Sequence, residues 1–277
     1  MRRFWGGYTV IEVMIVLAIT GVLFGSAVMV FNGQQAKTSL SQNMYDFASK
    51  LQSYVTEVNS GVYDNSQTYG CSISGGKATL STTSPGTNND CLFVGRAIQL
   101  IPNSSDVYVY TIIGNRNLYN GGNDTGKTAQ SLEDTNPQVA SAAGTMVMVD
   151  KYSFPSDLSF DSAKATGQDG SSLTGYGDLI GLYEDLSGSG AGTNLETLAF
   201  PFPQGGDSNT PKSSSLADCL SLNAECASTT NGYSGSGYRR ISNWEVCIKG
   251  SGSTKAEVKV KTSSAGISTE VNAQSCS

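Results

Sequence analysis

The sequence predicts an α+β protein shaped like a lollipop, in which one long N-terminal helix packs against a disulfide-bonded, β-rich head. Three observations lead to this prediction. An apolar run over residues 8–31 is followed by a one-sided apolar pattern over residues 32–60. The remainder, residues 61–277, alternates β-prone segments with stretches rich in Gly, Ser, Thr and Asn. All six cysteines lie in this remainder, as expected for an oxidising compartment.

The N-terminus combines a short basic leader, residues 1–7, with the apolar run. The run of 24 residues would span about 36 Å as a helix, against about 30 Å of hydrocarbon in a bilayer. Arg2 and Arg3 are expected to stay in the cytoplasm, so the chain beyond Phe31 should face outward. We therefore expect a single-pass precursor in the cytoplasmic membrane, with its N-terminus inside and its head outside.

Glu12 is the only acidic or basic side chain inside the apolar run. A carboxylate in a membrane span costs roughly 2.5–3.5 kcal/mol on insertion scales, so it needs a partner. Cleavage after Gly7 would give Tyr8 a free amino group, and such a group on a neighbouring chain would neutralise Glu12. Buried pairs of this kind specify register more reliably than they stabilise. The pattern predicts a cut between Gly7 and Tyr8 and an assembly role for Glu12.

Simpler interpretations of the apolar run remain open. A secretory signal also begins with basic residues, and the sequence Gly25-Ser26-Ala27 could supply its small-residue cleavage site. A plain membrane anchor would explain the length of the run, but neither interpretation accounts for Glu12. Gly21 and Gly25 form a Gly-x-x-x-Gly pair, which allows close helix packing or local loosening of the helix, or has no particular role.

The segment Gly7-Tyr8-Thr9-Val10-Ile11-Glu12-Val13, with its leader and apolar run, resembles the processing motif of type IV prepilins and pseudopilins. The resemblance covers roughly the first 55 residues. It implies that a prepilin peptidase cuts after Gly7, that Tyr8 is N-methylated and that Glu12 acts in assembly. It also implies an inner-membrane assembly platform and other pilin subunits as partners, the lipid bilayer before assembly, and a cell-surface filament, or fimbrium, as the destination. Two departures are Tyr8 in place of the usual phenylalanine and a first proline only at Pro85.

Beyond Phe31 the helix is predicted to continue to Ser60. Apolar residues recur there at three- and four-residue steps, which is typical of an amphipathic helix. The apolar positions are Leu40, Met44, Phe47, Leu51, Tyr54 or Val55, and Val58. Asn59, Ser60 and Gly61 supply the stop. A helix from Tyr8 to Ser60 would measure about 80 Å, and its second half needs a sheet to pack against.

The head is predicted to be one large domain rich in strands, although a smaller second lobe between about residues 153 and 211 remains open. Candidate strands are residues 92–101, 107–113, 145–149, 178–184, 244–249 and 255–261. The last of them alternates strictly, which predicts that Ala256, Val258 and Val260 are buried and that the charged residues between them face water. A hairpin loop is predicted at 250–254. Segment 94–114 and this hairpin weakly resemble the sheet of minor, H-type pseudopilins.

Long polar segments between these strands are predicted to be surface loops. They are residues 81–90, 115–136, 187–194, 205–215 and 228–237. One of them contains Gly121 to Thr128, which matches the nucleotide-binding pattern Gly-x-x-x-x-Gly-Lys-Thr letter for letter. A phosphate-binding loop must follow a buried strand directly and open a helix, and the flanking residues predict neither. We therefore interpret the match as a surface turn.

None of the six cysteines lies in a Cys-x-x-Cys metal or redox pattern. Sequential pairing would join Cys71 to Cys91, Cys219 to Cys226 and Cys247 to Cys276, although six cysteines allow 15 connectivities. Free buried cysteines are the alternative.

Composition argues against several functional classes. The chain has no histidine, which removes the Ser-His-Asp triad and most zinc sites, so we expect no catalytic residue, no metal and no cofactor. Ser–Lys chemistry, paired carboxylates and a loop calcium site remain open, and the available carboxylates are Asp157, Asp161, Asp169, Asp178, Glu184 and Asp185. Without Arg2 and Arg3, 15 basic face 23 acidic side chains, a balance of −8, which disfavours a nucleic-acid partner.

The sequence therefore predicts a structural subunit of a type IV pilus or related pseudopilus, polymerised through its N-terminal helix. Loops of this length often carry binding surface, so a minor tip pilin or adhesin whose head binds a surface or another cell is the alternative. A membrane-anchored extracellular enzyme is a third interpretation.

Overall fold

The computed structural model of the chain describes residues 9–61, 69–82, 91–147, 149–155, 157–184, 186, 195–201, 214–222, 237–250, 254–263, 266–272 and 276. The helices are α1 (Val10–Ser60) and α2 (Ser214–Leu220), with a 3₁₀ turn at Glu133–Thr135. The strands are β1 (Gly70–Ser74), β2 (Lys77–Ser81), β3 (Cys91–Leu100), β4 (Asp106–Asn115), β5 (Asn117–Asn120), β6 (Asn123–Thr128), β7 (Gln138–Val139), β8 (Ser141–Ala142), β9 (Thr145–Met146), β10 (Val149–Ser153), β11 (Ser159–Gly167), β12 (Ser172–Leu173), β13 (Tyr176–Glu184), β14 (Leu195–Pro201), β15 (Arg239–Lys249), β16 (Lys255–Ser263) and β17 (Gly266–Asn272).

Helix α1 is continuous over 51 residues, which corresponds to about 76 Å. It ends where Gly61 adopts a left-handed conformation (φ 61°) and its N–H bonds back to the carbonyl of Val58. Glycine takes this conformation without steric cost, so the predicted stop is confirmed. Every predicted position of the amphipathic face is buried, and the two alternatives Tyr54 and Val55 are both buried.

The head is built around one antiparallel sheet, whose eleven described strands run in the order β10-β4-β3-β13-β14-β15-β11-β12 with three additions. Strand β16 pairs with β15, β17 pairs with β16, and β7 pairs with β4. Only two residue pairs join β14 to β15, Leu198 with Arg240 and Ala199 with Arg239. Smaller sheets are β1-β2-β8-β9 and the hairpin β5-β6. This is the predicted α+β layout, with a β-rich head.

Both faces of the large sheet are covered. The amphipathic half of α1 packs on one face in a cluster that includes Phe93, Ile98, Trp244 and Val258. The opposite face is covered by α2 and by the segment around Leu132, in a second cluster with Tyr183 and Phe200. Because each face is dry, the central strands are buried almost along their whole length rather than at alternate residues.

Some strand predictions need correction. Residues 145–149 are not one strand, because Thr145–Met146 pairs with β8 whereas Val149 begins β10, which pairs with β4. The predicted loop 115–136 contains the hairpin β5-β6, whose turn is made by Gly121 and Gly122 at φ 57° and 84°. The polar sequence of that hairpin lacks the alternation of apolar and polar residues that predicts a strand, so its two strands were not predicted. The predicted hairpin of β15 and β16 is confirmed, and a further strand, β17, follows it.

The apparent nucleotide-binding motif lies in this β5-β6 hairpin. Lys127 and Thr128 are exposed residues of β6, and the four residues that follow them are not helical. The segment therefore lacks the helix N-terminus that a phosphate loop requires, as predicted.

Strand β16 departs from strict alternation at Glu257. Ala256, Val258 and Val260 are buried as predicted, but Glu257 is also buried, with 2% of its surface exposed. Its carboxylate lies 3.3 Å from Lys259 Nζ. The neighbouring disulfide explains this burial, because Cys247 lies opposite Glu257 in the sheet and bonds to Cys276, which holds the chain end against this strand.

Two predicted disulfides are present. Cys71–Cys91 and Cys247–Cys276 have Cα–Cα distances of 6.1 and 5.7 Å. Cys219 is disulfide-bonded as well, whereas its predicted partner Cys226 lies outside the described residues. No cysteine in the described part of the chain is free. Disulfides fit the outward orientation predicted for the head.

Candidate membrane-spanning and assembly segment

Helix α1 begins with a capped first turn. Thr9 is the N-cap, with extended backbone angles (φ −78°, ψ 149°), and its hydroxyl accepts a hydrogen bond of 3.3 Å from the Glu12 N–H. Glu12 is the third residue of the helix, where a carboxylate lies next to the positive end of the helix dipole. Thr9 and Glu12 thus have the spacing of a capping box, a signal in the sequence that our sequence analysis overlooked. Gly7 and Tyr8 lie outside the described residues.

The segment Val10–Val28 is long and apolar enough to cross a membrane, and none of its strongly apolar 18-residue window is buried by the rest of the chain. Its large apolar side chains are exposed on every side of the helix, with exposed fractions from 41% at Val28 to 79% at Val10. A helix that is apolar all round needs to be surrounded by lipid or by other protein. The segment is therefore a candidate for a single N-terminal membrane-spanning helix.

The polar groups of this segment differ in their internal partners. The hydroxyl of Thr20 donates to the carbonyl of Val16 at 2.8 Å, and that of Ser26 donates to Leu23 at 2.8 Å. These two side chains can therefore enter an apolar environment without an external partner. The Glu12 carboxylate is different, because it is exposed and ionisable. Among the described residues of this span, Glu12 is the group with a reason to seek a partner outside its own chain.

Gly21 and Gly25 are also fully open. A Cβ added at either position would meet no atom within 4 Å. The two glycines lie four residues apart and therefore on the same helix face, where they form a shallow strip without side chains. Within the single chain they pack against nothing, so any role in close approach must involve a second helix.

The other half of α1 is fixed to the head by an ion pair between a buried arginine and a partly exposed glutamate. Arg96 on β3 is 8% exposed and donates two hydrogen bonds, of 3.1 and 2.7 Å, to Oε2 of Glu57. Its third contact is a bond of 2.5 Å to the hydroxyl of Thr111 on β4. A buried guanidinium requires such partners, because an unpaired charge in the interior is costly. Neither Glu57 nor Arg96 was singled out in the sequence.

A second polar contact lies one helical turn away. The Tyr54 hydroxyl donates to Oδ2 of Asp150 on β10 at 2.7 Å, and Lys50 Nζ lies 3.4 Å from the same oxygen. Burial, and then the hydrogen bond to Asp150, raises the pKa of the Tyr54 hydroxyl well above its usual range. Burial alone would raise the pKa of Asp150, but the bond from Tyr54 and the charge of Lys50 outweigh it and lower that pKa.

The acidic residues considered for catalysis or calcium binding do not converge. Asp161 forms an ion pair of 2.6 Å with Lys255, and Asp169 accepts hydrogen bonds from Ser171 within a turn. Burial raises the pKa of Asp178 to about 6, and it also raises that of Glu184. Asp185 lies outside the described residues, and within them no cluster of three or more Asp, Glu or Cys side chains could hold a metal ion.

Searches of protein-family models, curated protein sequences and solved structures find no match to this chain. Its function must therefore be inferred from its own residues and geometry. Two features stand out in the described residues. One is an exposed apolar helical segment that carries a single carboxylate, and the other is a helix–head contact in which a partly exposed Glu57 pairs with a buried Arg96.

Proposed function

We propose that this protein is a structural subunit of a type IV pilus or related pseudopilus. In this proposal the chain is cleaved after Gly7, methylated at Tyr8 and polymerised through the N-terminal half of α1. The observation that carries the proposal is that the two halves of one continuous helix make different contacts. From Leu40 onward one face of the helix is buried against the head, whereas no residue in the strongly apolar window of Val10–Val28 is buried.

The bare segment is too large to remain in water. Its exposed residues include Leu17, Val22, Leu23 and Phe24, each more than 60% exposed. Transfer of one such side chain from water to an apolar environment is worth about 1.5–3 kcal/mol. The segment therefore has two stable environments, the bilayer of the precursor state and a bundle of like helices in a filament. The same surface serves both, so leaving the membrane exchanges lipid contacts for helix contacts.

Glu12 favours the filament over a permanent anchor. A helix whose only task is to span a bilayer does not need a carboxylate within its apolar run, where a charge is costly, and an uncharged cap would serve its first turn. In a bundle of like helices, the carboxylate would neutralise the amino group of Tyr8 on a neighbouring subunit and so fix the axial offset between subunits. Prepilin peptidase, which creates that amino group, and the inner-membrane assembly platform are the partners that this route requires.

The alternative role is that of a minor subunit at the filament tip. The head spans more than 200 residues and displays an exposed hairpin, β5-β6, on its surface. Such a surface suits recognition of another cell or a solid support. Labelling of the head on intact cells separates the two roles. A structural subunit would be labelled along the whole filament, whereas a tip subunit would give one signal at the tip of each filament.

The decisive experiment is mass spectrometry of the N-terminal peptide from filaments sheared off the cell surface. We expect a peptide that begins at Tyr8 with one added methyl group. A chain that keeps residues 1–7 and stays in the membrane fraction would overturn the proposal, as would a mature chain that begins near Ala27. A Gly7→Leu variant is the matched control, because a bulky residue at the cut should leave the leader attached and abolish surface filaments.

A further inference from the structure

The buried face of α1 is nearly repetitive, so it does not define by itself where along the helix the head must sit. Its eight buried positions are Leu40, Met44, Phe47, Ala48, Leu51, Tyr54, Val55 and Val58. Each of these residues fills a site on the head. If the head moved seven residues towards the N-terminus, five of the eight sites would again be filled by a residue of this set. Seven residues are nearly two full turns, so such a shift rotates the helix by only about 20°.

Charged residues break this repeat. In the shifted arrangement Lys50 would take the place of Glu57, opposite the buried guanidinium of Arg96, and two positive charges would face each other. Lys37, which is exposed in the native arrangement, would enter the fully buried site of Met44. Asp150 would lose its hydrogen bond from Tyr54, because Phe47 would stand there without a hydroxyl.

The chain connection is long compared with the shift. The stretch from Gly61 to Tyr69 contains nine residues, which reach about 30 Å when extended. The shift in question is about 10 Å, seven residues at 1.5 Å each. The determinants of position are therefore expected in the contact between helix and head.

We propose that Lys37, Lys50 and Glu57 set the axial position of the head on α1. Arg96 on the head distinguishes the two positions, because it faces Glu57 in the native one and Lys50 in the shifted one. The Glu57–Arg96 pair favours the native arrangement, and the two lysines penalise the shifted one. Buried ion pairs are better suited to such selection than to net stabilisation. The charges on this face thus act as determinants of register, which the apolar residues alone leave open.

The consequence for the molecule, which rests on the proposed function, is the clearance between the head and the membrane. Eight residues separate Phe31, the end of the apolar run, from Leu40, the first buried position, and they measure about 12 Å. The headgroup layer on one side of a bilayer is about 5–8 Å thick. The native position therefore holds the head clear of the lipid, whereas the shifted one would leave about 2 Å and press the head against it.

The test measures the helix–head distance in the full chain in detergent micelles, so it requires no filament. Spin labels are placed at Ser49 on the helix and at Thr145 or Ser268 on the head, all exposed positions. Attachment through a non-natural ketone amino acid leaves the native cysteines untouched. Pulsed electron paramagnetic resonance should give one distance for each label pair in the otherwise unchanged chain.

The decisive variant combines Lys37→Leu, Lys50→Glu and Glu57→Lys, which moves the charge pattern by seven residues. We expect a second distance, displaced by up to about 10 Å, in at least one label pair. The matched control combines Asp46→Lys with Lys127→Glu, which exchanges charges at exposed positions outside the proposed set and should keep the native distance. A folded decisive variant that shows only the native distances would overturn the proposal.

A second variant decides the matter if the first fails to fold. Lys37→Leu with Glu57→Met and Arg96→Met removes the determinants but keeps an apolar contact of similar volume. We expect native and displaced distances to coexist, with at least a tenth of the molecules displaced. A single native distance in this variant would show that the apolar face alone sets the position, contrary to the proposal. Pilus formation enters neither measurement, so the proposed function stands or falls separately.

Discussion

Tyr183 lays its ring across Gly181, two residues earlier on the same face of β13, so closely that a Cβ on Gly181 would lie 2.1 Å from Tyr183 Cε2. Both residues are buried at the centre of the large sheet, where neighbouring strands fix the backbone. The ring occupies the space that any other residue at position 181 would need. Glycine is therefore required there by packing rather than by backbone conformation.

Gly181→Ala should lower the free energy of unfolding by about 1–3 kcal/mol, because the added methyl group forces the ring out of its site. Urea unfolding of the full chain in micelles, followed by circular dichroism, measures this loss. The double variant Gly181→Ala with Tyr183→Leu should recover part of the loss relative to Tyr183→Leu alone. Equal stability of Gly181→Ala and the unchanged chain would contradict the packing argument.

Asp178 should make the head less stable as the pH rises. Burial raises its pKa to about 6 in the folded chain, above the ordinary value of 3.8. The folded state therefore holds the proton more tightly, and its contribution is complete below pH 4 and lost as the pH rises through 6. The difference is on the order of 3 kcal/mol.

The variant Asp178→Asn tests this pH dependence. It should raise the melting temperature at pH 8 and leave it nearly unchanged at pH 4, because only the charged carboxylate is penalised. Asp157→Asn, at an exposed position, is the control and should have little effect at either pH. An equal gain at both pH values for Asp178→Asn would show that charge is not the cause.

Glu12→Gln should leave processing intact but reduce incorporation into filaments at least tenfold, because the carboxylate is proposed to act between subunits. Thr9→Ala separates this role from helix capping, since it removes the cap of the same turn and costs about 1 kcal/mol of helix stability. Quantitative immunoblots of sheared filaments compare the two variants. A similar loss in both would assign Glu12 to the capping of its own helix.

Removal of the Cys247–Cys276 bond, by serine at both positions, should lower the free energy of unfolding by about 3–4 kcal/mol, given a separation of 29 residues. Removal of Cys71–Cys91, with a separation of 20, should cost about 3 kcal/mol. Thermal melts of both double variants provide the comparison. A loss below 1 kcal/mol for the first would mean that the chain end is held by its other contacts.

Periodic apolar patterns predicted α1 and five strands of the large sheet, β3, β4, β13, β15 and β16, because these segments bury a continuous stripe or a continuous run. Two further strands of this sheet, β11 and the central β14, were not predicted. The hairpin β5-β6 was missed because all of β6 is exposed and its residues are polar. Strand β17 was missed for a similar reason, since only Ile267 among its residues is fully buried. A local apolar pattern indicates which side chains are buried. Strands that are held mainly by backbone hydrogen bonds bury few side chains, so they show no clear pattern.

The same limit applies to the candidate site. Glu12 stands out because a charge interrupts an apolar run, whereas Glu57 sits among polar neighbours and looks like any surface glutamate. Arg96 lies 39 residues away, and no spacing rule links the two. Glu257 was likewise predicted to face water, because its local sequence does not show that the neighbouring Cys247 is bonded to Cys276, 29 residues further along the chain.

The absence of any buried side chain in the strongly apolar window of Val10–Val28 has an evolutionary consequence. Substitutions in that stretch do not reach the folding energy of the head, and substitutions in the head core do not alter the stretch. Selection can therefore change how this stretch contacts lipid or neighbouring chains without changing the stability of the head. A lineage could exchange either half for another and keep the remaining half functional, provided that the charges near residues 50 and 57 travel with the head.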